Sequence, residues 1–260
     1  MVNNSGATTS LLLTEETTQA LTRSGIIYKI IDSPKNNIAT GRNIVLDQAQ
    51  HSHVAFIDDD EIARPDWLIQ LTEMMLKTSC TVVTGPVHAK FPESSKKWLR
   101  KLDLHNTTGR QNGDIVKFTG TGNVLINSEK TGGLRFDEIY GRSGGSDTDF
   151  FLRVTDKSDE IRWAANAELH ETIPEDRASL RYFARRAISQ GTNFRKIMTN
   201  RGEIKNQILF TCRAACVATL AIFMGLVLMI IGNRQAGRWL KRAFANIGFL
   251  VKPKEHLYDK

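Results

Sequence analysis

Residues 52–68 read SHVAFIDDDEIARPDWL, and this stretch decides the fold class. Val54, Ala55, Phe56 and Ile57 form a short apolar run that stops at three carboxylates, Asp58, Asp59 and Asp60. A buried parallel strand reads this way when it delivers acidic side chains to the carboxyl edge of a sheet, where open α/β folds place their ligands. Pro65 then opens PDWLIQLTEMML, whose apolar residues recur at helical spacing. The unit is strand, acidic turn, helix. Aspartates this dense repel one another unless a cation sits among them, and hard oxygen ligands select Mg2+ or Mn2+. A bare triple Asp can also be a solvated acidic turn. The apolar strand before it and Pro-Asp-Trp-Leu after it favour the site.

Outward from this unit, LLLTEETTQALTRS over residues 11–24 predicts a first helix closed by Gly25, and residues 26–31, IIYKII, predict a strand. A helix is expected within KNNIATGRNIVLDQAQ, a helix over 65–77, and a second buried strand over 80–87, CTVVTGPV. That alternation implies right-handed βαβ units and a mostly parallel sheet. Farther on, residues 118–127, FTGTGNVLIN, carry glycines that let backbone approach a ligand, then a short strand. A turn at Gly144 and Gly145 leads into a helix from Asp147 to Val154. An aspartate there is either a helix cap or a catalytic group. Beyond a strand in IRWAANAEL, Arg177, Arg181 and Arg185 recur at i, i+4 and i+8, with Arg186 alongside. Such a stripe suits a diphosphate or is a solvated face.

With 260 residues, 41% hydrophobic and 24% charged, the chain can bury one substantial α/β core plus an appendage. Of the formal charge of +7, +5 lies beyond Gly232, which argues for a local basic tail and against a nucleic-acid partner. Cys80, Cys212 and Cys216 give neither a disulfide framework nor a zinc pattern, and MVNNSGATTS lacks the basic and apolar halves of a secretory signal. Ala214 to Ile231 is an uncharged run bracketed by Arg213 and Arg234, near the length of a bilayer crossing. The following GRWLKRAFANIGFLVKPK has the mix of an interfacial amphipathic helix.

FIDDDEIARPDWL resembles the DxD segment of family 2 glycosyltransferases of the GT-A fold, particularly bacterial enzymes that build exopolysaccharides such as succinoglycan. The resemblance implies a Rossmann-like α/β domain over residues 1–205 and a membrane-attachment region over 206–260, with its hydrophobic helix at about 214–231. It assigns Asp58 and Asp59 to the nucleotide-sugar donor and Asp60 to Mg2+ or Mn2+ on the diphosphate. Ala39, Gly41, Arg42 and Asn43 resemble a donor-contacting segment, with Arg42 on the diphosphate. TGNVLI resembles a segment whose Asn, here Asn123, lies beside the sugar on the acceptor side. GGSDTD matches G-G-E-D-x-D, making Asp147 the general base and Asp149 an acid that orients the acceptor, with Ser146 where the family usually has Glu. Arg177, Arg185 or Arg186, and Gly191 match an Arg pattern that serves the donor, and His170 is a candidate metal ligand beside Glu171.

Relatives of this type begin with one more apolar strand and helix. Here Val2-Asn3-Asn4-Ser5-Gly6 resembles the turn after their second strand, with Asn3 at a donor position where Asp is usual. The expectation is an N-terminally shortened domain, either because the protein starts upstream of Met1 or because its nucleotide pocket is reduced. The function implied is an inverting, hexosyltransferase-type enzyme moving a sugar, UDP-linked in the first instance, to a polysaccharide or lipid-linked acceptor at the cytoplasmic face of a bacterial inner membrane. Two alternatives remain at this point. One is an inactive membrane-bound remnant, and the other is a different metal-dependent nucleotide enzyme that would not need Asp147.

Overall fold

The structure, a computed structural model, describes residues 2–3, 15–102, 104, 110–157 and 160–251. The first half runs β1 (Val2–Asn3), α1 (Glu15–Arg23), β2 (Ile31–Asp32), α2 (Ile38–Gln48), β3 (His53–Ile57), β4 (Glu61–Ala63), α3 (Trp67–Thr78), β5 (Val82–Thr84), β6 (Val87–Lys90) and α4 (Lys97–Lys101). The second half runs β7 (Ile115–Val116), β8 (Asn123–Asn127), α5 (Ser146–Asp156), β9 (Ile161–Trp163), β10 (Leu169–Thr172), α6 (Leu180–Asn200), α7 (Gln207–Ile230) and α8 (Ala236–Leu250).

The main sheet has the order β3-β8-β5-β9-β7 and is covered on both faces. Because side chains alternate along a strand, Val82, Val124 and Ile126 enter one core with Leu46 of α2 and Phe150, Phe151 and Val154 of α5. Their neighbours Val83 and Leu125 enter the other core, with Leu71, Met74 and Met75 of α3. The first core is fixed by stacked aromatics, with Phe136 and Phe150 ring centres 4.2 Å apart and Phe151 edge-on to Phe150. The α/β layering is therefore as expected. The pairing inside it is mixed. β3 and β5 do run the same way, but β8 lies between them and pairs antiparallel with both, while β5 and β9 are parallel.

Two strands differ from their sequence expectation. Residues 80–87 split into β5 and β6 at Gly85-Pro86. A Cβ at Gly85 would stand 2.3 Å from the Ala167 carbonyl oxygen, and Pro86 has no N–H to extend the ladder. The chain crosses at that point into a second sheet, β4-β10-β6, where β6 is parallel and β4 antiparallel to β10. In residues 26–31, only Ile31 joins a strand, since β2 pairs with the two-residue β1, and Ile27 is 96% exposed. The first helix ends as read, with Gly25 at φ +66°, although residues 11–14 lie outside the described residues.

At the C-terminal end, α7 and α8 form an antiparallel hairpin, and α8 packs against α6. Small residues permit this closeness. A Cβ on Gly191 of α6 would stand 1.9 Å from the Ala245 carbonyl oxygen, and one on Gly237 would stand 1.5 Å from the carbonyl oxygen of Leu102. α8 is amphipathic as expected, but its apolar residues Ala236 and Leu240 are buried among Leu99, Leu102 and Phe183. Its apolar face is occupied by protein.

Candidate active site

β3 ends at Ile57, and the chain turns through Asp58–Glu61 into β4. The turn closes twice: the Glu61 amide donates to the Asp58 carbonyl at 3.2 Å, and the Asp58 amide donates to Glu61 Oε2 at 3.0 Å. Opposite lies the loop that enters β8. A Cβ on Gly122 would stand 2.6 Å from Glu61 Oε1 and 3.2 Å from Asp58 Oδ2, so only a bare Cα leaves these carboxylates in place. Two residues earlier, a Cβ on Gly120 would lie 3.5 Å from Asp147 Oδ2. One glycine loop therefore touches both acidic constellations.

Asp147 stands in the first turn of α5, whose N-cap Gly145 has φ +97°. Its Oδ1 accepts from the Thr148 amide at 2.7 Å, while Oδ2 faces Gly120. Arg42 of α2 donates to Ser146 Oγ at 2.9 Å, and its guanidinium lies over the Phe136 ring, 5.6 Å from the centroid. Ser146, at the family's Glu position, is thus the residue that holds this arginine. Burial raises the Asp58 carboxyl above its usual range, Arg42 opposes that, and Asp60, Asp59 and Asp147 add to it. Asp58 and Asp147 belong to one electrostatic site.

The second sheet widens that site. Glu61 and Glu171 are direct partners across β4 and β10. Burial raises Glu61 to about 7, against the Asp58 amide, with further raising by Asp58, Glu171 and Asp60. Glu171 is also raised by burial, with Arg186 and Arg177 opposing and Asp60 and Asp58 reinforcing. Arg177 Nη1 lies 4.0 Å from Asp60 Oδ2. The result is a patch of carboxylates, exposed at Asp58–Asp60, half-buried at Glu61 and buried at Glu171, rimmed by three arginines, 42, 177 and 186, on three different chain segments. Arg177 precedes α6, so the sequence stripe is broken there by the Ser179 cap, whose Oγ accepts from the Tyr182 amide.

Several expected site residues are elsewhere. Asn123 is 3% exposed and fully engaged: its Oδ1 accepts from Trp67 Nε1 at 2.8 Å, and its Nδ2 donates to the carbonyls of Pro86 at 2.9 Å and Ala167 at 2.7 Å. It ties α3 to the break between the sheets and has no group left for an acceptor. Asp149 is buried and ion-paired with Arg153 at 2.8 Å, one helical turn away. That makes it a brace for α5. His170 alternates with Glu171 along β10, so it faces away from the carboxylates; its surroundings are His88, Lys90, Glu168 and Arg64, and burial lowers its pKa. Arg185 is exposed on α6, and none of the shifted carboxylates responds to it. Of Asn3, the backbone pairs with Asp32.

Glu61 is the site residue that the motif reading passed over, although it directly follows the triple Asp. The strand pairing with Glu171, which sequence spacing does not show, is what gives it a role. Among the described residues, no group of three or more His, Cys, Asp or Glu side chains is arranged to hold a metal ion by itself. Mg2+ ordinarily takes one or two carboxylates and completes its shell with water and substrate phosphate, and Asp58 and Asp60 are donors of that kind. The excess of crowded negative charge around them is the chemistry that such an ion would offset.

Comparison with known proteins places the first part of the chain in a family. Residues 13–139 match the sequence model described as glycosyl transferase family 2. Those residues belong to that family. The chain is also 33% identical over 178 residues to the succinoglycan biosynthesis protein ExoM of Rhizobium meliloti (strain 1021), covering 68% of this chain. It spans 57% of that relative's length. Among solved structures, TarS residues 1–349 of S. aureus in complex with UDP superpose with a TM-score of 0.41 at 12% identity, over 90% of this chain and 77% of that one. A197 from STIV gives a TM-score of 0.37 at 20% identity, over 56% and 72%. Scores this low carry no argument about the site. The family 2 match covers α2, β3 and the acidic turn, and stops just before Gly144 and Asp147.

Proposed function

We propose that the protein is an inverting glycosyltransferase that moves a sugar from a nucleotide-diphosphate donor, UDP-linked, to a polysaccharide or lipid-linked acceptor in bacterial exopolysaccharide synthesis. The observation that carries this reading is the glycine loop, which sets Gly122 against Asp58 and Gly120 against Asp147. The two motifs that a displacement requires thereby share one wall. The family membership and the succinoglycan relative support the reaction class and the setting.

In this mechanism Arg42, Arg177 and Arg186 attract the diphosphate, and arginine's planar donors suit its oxygens. Asp58 and Asp60 would hold a Mg2+ or Mn2+ ion. When bound, that ion supplies Lewis-acid stabilisation of the charge gathering on the leaving diphosphate. Asp147 takes the proton of the acceptor hydroxyl as it attacks the anomeric carbon from the face opposite the leaving group. A base must lie roughly 2.6–3.2 Å from that hydroxyl, so the acceptor oxygen sits over Asp147 Oδ2, beside Gly120. Glu61, raised to about 7, stays partly protonated near neutral pH until cationic charge arrives, which limits repulsion of the donor.

The C-terminal residues 206–260 hold the domain at the cytoplasmic face of the inner membrane. α7 supports that part, since it has the length and apolarity of a membrane helix, and Arg213 and Arg234 flank its uncharged run.

The test is UDP binding to purified protein with and without Mn2+, beside Asp60→Ala and Asp147→Asn. Manganese-dependent binding that is lost in Asp60→Ala and kept in Asp147→Asn, with turnover lost in both, is the expected result. Turnover surviving in Asp147→Asn would favour a different nucleotide transferase. A folded protein that binds no UDP under either condition would mean an inactive remnant.

A further inference from the structure

We propose that the α7–α8 hairpin anchors this protein in a single leaflet of an anionic bilayer, lying within the surface instead of crossing it. The inference rests on the membrane attachment proposed above and not on the transfer chemistry.

α7 alone has the length to cross: 24 residues, about 36 Å at 1.5 Å per residue, against a hydrocarbon core of about 30 Å. Its packing forbids that route. Ala214, Ala218, Ala221 and Gly225 form a small-residue stripe buried toward α8, and a Cβ on Gly225 would lie 2.8 Å from Leu240. At the far end of the hairpin Phe210 and Phe249 are 5.5 Å apart, so α8 runs back along α7 over its length. α8 has only 15 residues, about 22 Å of helix, too short to span, and it carries Arg238, Lys241 and Arg242 midway.

α8 is also bound to the catalytic domain. Thr192 Oγ1 donates to the Gly248 carbonyl at 3.0 Å, Arg195 donates to the Phe249 carbonyl, and the Gly248 Cα sits against Ile188. α6 in turn carries Arg186, which faces Glu171. A crossing α7 would draw into the hydrocarbon either three cations on α8 or the helix that supports the site. Both are costly.

What remains for lipid is the outer face of α7. Leu220, Phe223, Val227, Ile230 and Ile231 are exposed, Ile230 by 83%, with nothing among the described residues covering them. An apolar face this continuous on a soluble surface marks an interaction site. The charge around it selects the occupant: Arg213 and Arg234 are exposed at the two ends and Arg242 is exposed on α8, while the uncharged run between Arg213 and Arg234 has no acid. Basic residues around an apolar strip fit anionic headgroups above acyl chains. A second copy of the same basic surface does not complement them.

The experiment uses the full chain with Cys212→Ala and Cys216→Ala, since both thiols are exposed on α7 and Cys80 is buried. Asn233→Cys marks the hairpin tip and, in a separate variant, Ser24→Cys marks the domain. Spheroplasts and inverted vesicles of the expression host are treated with a membrane-impermeant maleimide. Both positions are expected to react from the same, cytoplasmic side only. Reaction of position 233 from the opposite side would overturn the proposal. With purified protein, flotation on vesicles containing phosphatidylglycerol is expected, falling at least tenfold on neutral phosphatidylcholine vesicles or in high salt. A lipid-free dimer that buries α7 and binds neither vesicle would equally overturn it. UDP binding, measured in parallel, reports the active site separately, so a failed transferase and a failed anchor give different results.

Discussion

The two faces of β10 contrast sharply although their residues alternate in sequence. Glu171 faces a crowd of like charge, Glu61, Asp58 and Asp60, tempered by Arg186 and Arg177. His170, one residue earlier, faces His88, Lys90, Glu168 and Arg64, with an imidazole ring centre 5.6 Å from that of His88. A period of two separates the proposed diphosphate-binding surface from an ordinary mixed-charge exterior. The lesson is that a motif assigns a neighbourhood, while strand alternation decides which member of the motif reaches the chemistry.

The largest effect should come from Asp147→Asn, which keeps the shape of the α5 N-terminus and removes the base. Turnover should fall by about 10²–10⁴, the range for a general base, with UDP affinity unchanged by calorimetry. Next is the rim on the Glu171 side. Arg186→Met should weaken UDP binding by about tenfold, roughly 1.4 kcal/mol, because one cation is lost from a patch already rich in carboxylates. Arg185→Met, next along the same helix but not among the charges that act on Glu171, should change it little. Equal losses from the two would break the contrast.

Glu61 gives a signed pH effect without substrate. Its folded pKa, about 7, is raised above the ordinary 4.5, so the folded state holds this proton longer than the unfolded chain does. The stabilisation is complete below 4.5 and is lost as pH rises through about 7. Tm of the metal-free protein should therefore decline across this window, and Glu61→Gln should flatten the decline. A cation that binds the carboxylates should oppose it.

Much of this was legible in the sequence, and the failures share a cause. The apolar run at Val54–Ile57, the acidic turn, and Asp147 at a helix start are local patterns, and each forms the expected element, although β3 is an edge strand antiparallel to β8 with only Val54 buried, where the pattern reads as a buried parallel strand. Gly120 and Gly122 were legible as a close approach, though not as a wall shared by two motifs, because that depends on β8 inserting between β3 and β5. Asn123 and Asp149 were misassigned for a physical reason: both are polar, both sit in motifs, and both are consumed by partners distant in sequence or one turn along. Glu61 went unnoticed because its partner Glu171 is brought to it only by antiparallel pairing. The α7 run was legible as apolar, but the clasp of α8 between α6 and α7 comes from glycines whose meaning is tertiary.

The smallest effect, and the sharpest check on the two faces, belongs to His170. Its Nδ1 is buried without a hydrogen-bond partner, and its pKa is lowered by burial, with Lys90 and His88 contributing. A histidine of depressed pKa stabilises the fold fully above the unfolded value of 6.5 and loses that contribution as pH falls through its folded pKa. Its slope is therefore opposite in sign to that of Glu61, across the weakly acidic range that both share. His170→Gln should make the metal-free protein slightly less sensitive to acid while leaving its manganese requirement for UDP within about twofold of the parent, below 0.5 kcal/mol. Were the substitution instead to raise the manganese concentration needed for UDP binding by tenfold or more, the imidazole would have to reach the carboxylate face, and β10 could not hold the two residues on opposite sides as its pairing with β4 and β6 requires.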